Sequence, residues 1–333
     1  MSLISLGDMA QSFLLRRQSV ALKSDLTRLS TELTTGRVSD ASARVSGDLV
    51  PLSGIDSSLA RLKGFGTVAT EAALFTGAIQ TALGVIDDMS SDLSAALLSA
   101  SSGTSSLLLD SVGVDARLRF ESAVSALNTR FGDRTIFAGT ATTGAATVKA
   151  ETLLQALDTV VLGATSAADV EAAVTAWFDA PGGFVAQAYV GGGSLAPLLI
   201  APGDEAVVDV TGTDPAIRAS LKGLAMAALL DRGVLSGQST ARRNLAQLAG
   251  VSLLQSQTDR AHLAARLGTV EAQIGAAAAR NSAETTSLQI ARSDIVAADP
   301  FETATKLEET QAQLEYIYAI TARMTRLSLV DYL

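Results

Sequence analysis

Residues 299–333 read DPFETATKLEETQAQLEYIYAITARMTRLSLVDYL, and this stretch decides the fold. Asp299 stands before Pro300, with Glu302 three residues after the aspartate. An aspartate can accept from the orphan amides of a first helical turn, and a proline there has no donor to lose. Glu302 is placed to reach back and close a capping box. Leu307, Leu314, Ile317 and Met324 then fall at heptad spacing, with Thr310 and Thr321 in the gaps. Leu327 extends the run, and Tyr316 and Tyr318 flank it. A helix with one apolar seam cannot bury that seam alone, so it needs a partner.

The other end of the chain supplies one. Leu15, Leu22, Leu26, Leu29 and Leu33 step by seven, four, three and four, with Ser19 at the vacant position. This is a second heptad seam, expected to form one helix over residues 8–35. Asp8 with Gln11 is a candidate start, and Gly36 a candidate left-handed stop. Two terminal seams that answer each other are the central expectation.

The run Leu22-Lys23-Ser24-Asp25-Leu26-Thr27-Arg28-Leu29-Ser30-Thr31-Glu32-Leu33-Thr34-Thr35-Gly36-Arg37 resembles the opening segment of bacterial flagellins and their relatives. The closing Leu327-Ser328-Leu329-Val330-Asp331-Tyr332-Leu333 is more similar to the hook-associated protein 3 branch of that family, the hook–filament junction proteins. The resemblance covers the outer parts of the chain and fades in the middle. It implies a structural subunit of the bacterial flagellum, with terminal helices forming the inner layer of a ring or tube. It also implies self-association, the first hook-associated protein and flagellin as neighbours, and an export chaperone before secretion. Localisation on the extracellular flagellum, after type III export without a cleaved signal, follows from the same resemblance. Members of the family usually carry an Asp-Asp pair and an Asn in the connector after the first helix. Here Asp40 and Asp48 stand well apart, so no contact is carried over there. Flagellin itself is the alternative within the family; a secreted coiled-coil protein that binds partner helices is the alternative outside it.

Composition agrees with long helices. Of 333 residues, 48% are hydrophobic but only 4% aromatic, which suits helices packed through small side chains. A net charge of −9 argues against nucleic acid, whose phosphates need a basic surface. Cysteine is absent, which removes disulfides, thiolate nucleophiles and cysteine metal sites. Charged and polar residues interrupt the apolar runs before about 18 residues, so no membrane-spanning helix is expected. The first residues lack the basic start of a Sec signal.

The chain between the seams divides by composition. Residues 36–48 are polar and read as a connector, closing an N-terminal assembly segment over 1–48. Residues 49–140 read as the first half of a helical stalk. There Leu62, Phe65, Ala69, Ala72, Ile79, Leu83, Ile86, Leu93 and Leu97 alternate in threes and fours, with Thr76 and Ser90 included. The cluster 99–106 breaks the pattern, and Phe120, Val124, Leu127 and Phe131 share the face of a following helix. Thr135 to Gly139 is strand-like after Gly132-Asp133.

Residues 141–235 hold four of the six prolines and two glycine runs, which marks a small α/β insert. Helices are expected over 153–162 and 167–178, strands over 184–190, 195–200 and 206–210, and a helix from Asp214-Pro215 through Leu230. Residues 236–298 return to stalk helix. Leu263, Leu267, Val270, Ile274, Ala277, Asn281, Glu284, Leu288, Ala291 and Ile295 hold a four-three alternation, with Asn281 and Glu284 as polar register positions. Residues 299–333 form the C-terminal assembly segment. The expected fold is mainly α, a long antiparallel coiled-coil or helical-bundle stalk built from both ends, carrying the central α/β insert.

Catalytic chemistry is poorly served. His262 is the one histidine, and with no cysteine this rules out most histidine-based triads and multi-histidine metal sites; it lies on a polar stretch and reads as a solvated surface residue. Asp87 and Asp88 point apart on a helix and read as a solvated face. Gly191-Gly192-Gly193 lacks the Lys-Ser/Thr of a phosphate-binding loop and reads as a turn. Trp177 and Phe178 read as core of the insert. No enzyme, cofactor or metal is expected.

Overall fold

The computed structural model describes the backbone of residues 6–330 and the side chains of residues 9–324. In chain order, α1 (Leu6–Thr35), α2 (Ala41–Arg44), α3 (Val50–Ser102) and α4 (Ser106–Leu127) precede the hairpin β1 (Arg130–Phe131) and β2 (Arg134–Thr135). Then come α5 (Ala150–Val160), α6 (Ala167–Asp179) and α7 (Phe184–Gln187), followed by the hairpin β3 (Leu198–Ala201) and β4 (Asp204–Ala206). Last are α8 (Pro215–Ala228), α9 (Ser239–Val296) and α10 (Pro300–Val330). The fold is mainly α, with long helices and little strand.

The chain falls into two compact units. A terminal unit takes the residues up to Lys63 and from Ala283, and a central unit takes Gly64–Ser282. Helices α3 and α9, of 53 and 58 residues, supply both.

The central unit owns a continuous core. Ile79, Ile86, Leu93 and Leu97 of α3 are buried in it, as are Phe120, Val124 and Leu127 of α4 and Leu245, Leu253 and Leu263 of α9. Thr76 and Ser90, the polar gaps in the α3 seam, are fully buried as well. By length and hydropathy alone α3 could cross a membrane, which corrects the reading that no helix is apolar enough. Part of its apolar surface, including Ile79, Ile86, Leu93 and Leu97, is buried in the core, while Leu74 and Val85 are exposed. Where α8 meets α9, Gly223 lies against Leu253, and a Cβ there would sit 2.6 Å from Leu253 Cδ2. Ser94 Oγ donates to the Gly250 carbonyl at 2.7 Å, joining α3 to α9.

The insert region is more helical than its proline and glycine content suggested. Of the strand expected at 184–190, Phe184–Gln187 form the single turn α7, with Phe184 turned inward and stacked on Phe178 at 5.4 Å, and only Tyr189 is extended, in an antiparallel bridge with Thr147. Trp177 packs edge-on against Phe178 at 5.1 Å, so this aromatic cluster is core. The strand expected at 135–139 is two residues long and pairs backward, Arg130 with Thr135 and Phe131 with Arg134. Ile136, Phe137 and Ala138 instead leave the ladder and enter the core. Residues 198–206 form an antiparallel hairpin, while Val208 and Val210 pack in the core outside any strand. The glycine run 191–193 lies along residues 138–140, with the Gly192 amide donating to the Ala138 carbonyl at 2.8 Å. Gly139 has φ +57° and faces the Gly193 carbonyl, so no side chain fits there.

Two expectations on α9 change. Asn281 is buried and its Nδ2 donates to the Ile200 carbonyl at 2.8 Å, so it ties down the β3–β4 hairpin. Glu284 is exposed, and the half-buried face passes through Thr285 and Leu288. The later positions of the alternation, Leu288, Ala291 and Ile295, stay half-buried, so Glu284 alone leaves the face.

Candidate assembly interface

Within the terminal unit, α1 packs along α10. The start of α10 is built as its sequence indicates: Asp299 Oδ1 accepts from the Phe301 and Glu302 amides at 2.9 and 3.0 Å. Glu302 does not complete a capping box; its carboxylate takes the Lys306 ammonium at 2.6 Å, one turn further on. Asp8 lies inside α1, which is already helical at Leu6, so it is no N-cap. Gly36 ends α1 with φ +66° and donates to the Glu32 carbonyl at 2.8 Å.

The two connectors clip together at this end. The Val38 amide donates to Val296 at 2.9 Å, the Ala298 amide donates to Gly36 at 3.0 Å, and Arg37 and Ala297 form an antiparallel bridge. Glu32 anchors the clip from inside, with a residual exposure of 6%. It accepts from the Ser39 amide at 2.9 Å and from Arg28 at 3.2 Å. Burial works against its charged form, but the Ser39 amide and the Arg28 guanidinium outweigh it and hold the carboxyl below its ordinary range. Arg28 in turn is raised by its hydrogen bond to Asp25 and by Glu32. Arg292 and Asp56 add an ion pair at 2.7 Å between α9 and α3.

The seam residues are placed unevenly. Leu29 is buried at 3%, with Thr303 of α10 at 6%. Leu15, Leu22 and Leu26 of α1 are half-buried, as are Leu307, Leu314, Ile317 and Met324 of α10. Leu33 is exposed at 39% and Tyr318 at 48%. The Lys23 ammonium lies 5.6 Å from the Tyr318 ring centroid, and Lys23 draws that phenol below its ordinary range. The side chain of Leu327 lies outside the described residues, as do Asp331, Tyr332 and Leu333.

Each helix also carries apolar residues away from the seam. Met9, Phe13 and Val20 recur on one face of α1 and are all more than half exposed. Tyr316 and Ile320, one turn apart on α10, are exposed as well, and so is Phe301. Of these, Tyr316 is legible in the sequence as flanking the seam; Met9, Phe13, Val20 and Ile320 are not, because the leucine steps of the first seam dominate the periodic signal. Two helices cover one stripe each, and these second stripes stay on the surface of the unit.

Outside this unit, His262 is exposed. Among the described residues no group of three or more His, Asp or Glu could hold a metal ion. Asp87 is more than a solvated carboxylate: it pairs with buried Arg260 at 2.6 Å. The sequence reading missed this because Arg260 lies far from Asp87 in the chain, on a different helix.

Comparison with known proteins bears on the same end of the chain. Residues 252–333 match the bacterial flagellin C-terminal helical region. A solved structure described as a flagellar hook-associated protein of Vibrio parahaemolyticus matches with a TM-score of 0.55 and 10% identity. The match covers 73% of this chain and 95% of that one, a likeness of fold. No curated protein matches the chain.

Proposed function

We infer that this chain, which carries a flagellin-type C-terminal helical region, is a structural subunit of the bacterial flagellum of the hook-associated protein 3 type, forming the junction between hook and filament. The observation that carries the reading is the terminal pair α1–α10, whose mutual seam leaves the stripe of Met9, Phe13 and Val20 and the pair Tyr316 and Ile320 on the surface. Apolar stripes on both members of a helix pair call for further helices of the same kind, as in a ring or tube of identical subunits. Leu15, Leu22, Leu26, Leu29, Leu33, Leu307, Leu314, Ile317, Tyr318, Met324 and Leu327 would hold each subunit's pair together and set its register. In this role segments 1–48 and 299–333 assemble, the helices of 49–140 and 236–298 support them, and the insert 141–235 faces outward. The neighbours are the first hook-associated protein on one side and flagellin on the other, and an export chaperone would guard the stripes before type III export.

Immunogold electron microscopy of the flagellated cell, with antibody raised against residues 141–235, tests this. A single narrow band between hook and filament is the expected result. Label along the whole filament would make the chain a flagellin. Label absent from the organelle would leave a secreted partner-binding protein.

A further inference from the structure

The β3–β4 hairpin packs apart from the main core of the central unit. Ile200, Ala201 and Ala206 are buried with Ala69 and Ala72 of α3 and with Ile274 and Ala277 of α9, in a small apolar cluster of their own. Half-buried Val270 packs against both clusters. Ile200 is the large side chain that the hairpin buries, whereas α8 buries Ile217, Leu221, Leu224 and Met226 in the main core. Polar side chains of α9 hold the hairpin down. Asn281 Nδ2 donates to the Ile200 carbonyl at 2.8 Å, and Gln273 Nε2 donates to Asp204 Oδ1 at 2.7 Å and to the Glu205 carbonyl at 3.1 Å. Arg280 Nη2 pairs with Asp204 Oδ2 at 2.6 Å. Gln273 and Arg280 are exposed. At the base, Leu195 and Val208 pack against the main core, and Ser194 Oγ donates to the Asp209 carbonyl at 3.4 Å. Ala196, Pro197 and Val207, between base and hairpin, are exposed.

We propose that residues 196–207 form a strap that opens on its own, pivoting at its base while the main core stays folded, and that its lifting bares the alanine faces of α3 and α9. A two-stranded hairpin is marginal in isolation, so this one depends on what it packs against. Segments with few buried apolar contacts and solvent-facing hydrogen bonds open before the core does. The strap gives up one large apolar contact and a few hydrogen bonds in return for the conformational freedom it regains, whereas α8 would give up several such contacts at once. Gln273, Arg280 and Asn281 form the latch, and none of them belongs to the main core. The strap lies in the central unit alone and does not rest on the flagellar reading.

The chain has no cysteine, so a single introduced thiol reports the opening. Ala206→Cys places it on the strap and Ala225→Cys places it in the main core, and both positions are fully buried. With an aromatic disulfide reagent and no denaturant, the thiol at position 206 should react on the order of a hundredfold faster than the one at 225. Asn281→Ala should raise the rate at 206 about tenfold, since it removes a buried hydrogen bond. Arg280→Ala should raise it about threefold, as loss of an exposed ion pair does. Neither should alter the rate at 225. Sodium chloride at about 0.5 M should speed the reaction at 206 when Arg280 is present and leave Arg280→Ala unchanged. Hydrogen exchange of the unaltered chain supplies a check free of substitutions: the amides of 198–206 should exchange ahead of those of α8. Equal thiol rates at 206 and 225, hairpin amides exchanging in step with α8, or a latch variant that speeds both thiols alike overturns the proposal.

Discussion

The central and terminal units use the same heptad vocabulary and reach different degrees of burial. In Gly64–Ser282, Ile79, Leu93, Leu97 and Phe120 lose all or nearly all contact with solvent. In the terminal unit Leu29 and Leu62 come close to that, while Leu15, Leu22, Leu26, Leu307, Leu314, Ile317 and Met324 are half-covered and Leu33 and Tyr318 are exposed. The central unit surrounds its seams with helices from the insert. The terminal unit has α1, α10, a short clip and the ends of α3 and α9, and two cylinders in contact can hide only a strip of each. Identical spacing therefore yields a self-sufficient core in one place and an incomplete one in the other, which is the physical basis for reading the ends as assembly elements.

Phe120→Ala should break the central unit most severely, costing about 3–5 kcal/mol, as deletion of a fully buried aromatic does. Chemical denaturation followed by near-ultraviolet dichroism from Trp177 would read it. A loss below about 1 kcal/mol would mean that the core collapses around the gap.

Leu29→Ala is the corresponding change at the terminal pair. It should cost about 2 kcal/mol, near the lower limit for buried leucine, because few neighbours surround it. Hydrogen exchange should show faster opening of α1 and α10, with α4 and α8 unchanged. Equal acceleration everywhere would mean that the two units unfold as one.

Acid sharpens the contrast further. Glu32 is held below its ordinary range in the folded chain. Its contribution is therefore fully present above the unfolded carboxylate pKa of about 4.3 and is lost as pH falls through the depressed folded value. The amides of Val38, Ser39 and Ala298 should lose protection in that window while the central core keeps its own. Glu32→Gln should flatten this pH response, at a cost of about 1 kcal/mol near neutrality.

The smallest effect on the isolated chain is expected from Phe13→Ser. It lies on the uncovered stripe, so unfolding should change by no more than about 0.5 kcal/mol. Incorporation into the flagellum, scored by the same immunogold label, should nevertheless fail. Normal incorporation would remove the stripe from the interface.

Much of the fold was legible in residue spacing. The leucine steps of α1, the α3 and α9 alternations, and the caps at Asp214 and Asp299 depend on local periodicity and local hydrogen bonds. The insert was less legible. Residues 184–190 have β-rich composition, yet Phe184 turns inward to stack on Phe178, and tertiary packing overrides local preference. Asp87 read as solvated because its partner, Arg260 of α9, is remote in the chain and reaches it only once the helices pack.

The sequence alone determined that the chain is helical, that its ends carry apolar seams, and that histidine and cysteine chemistry is largely closed to it, since each follows from residue type and spacing. Tertiary structure alone decided which stripes remain uncovered after α1 meets α10, and that Arg260 of α9 is buried against Asp87 of α3. Burial is a property of neighbours, and neighbours are fixed only when distant segments meet.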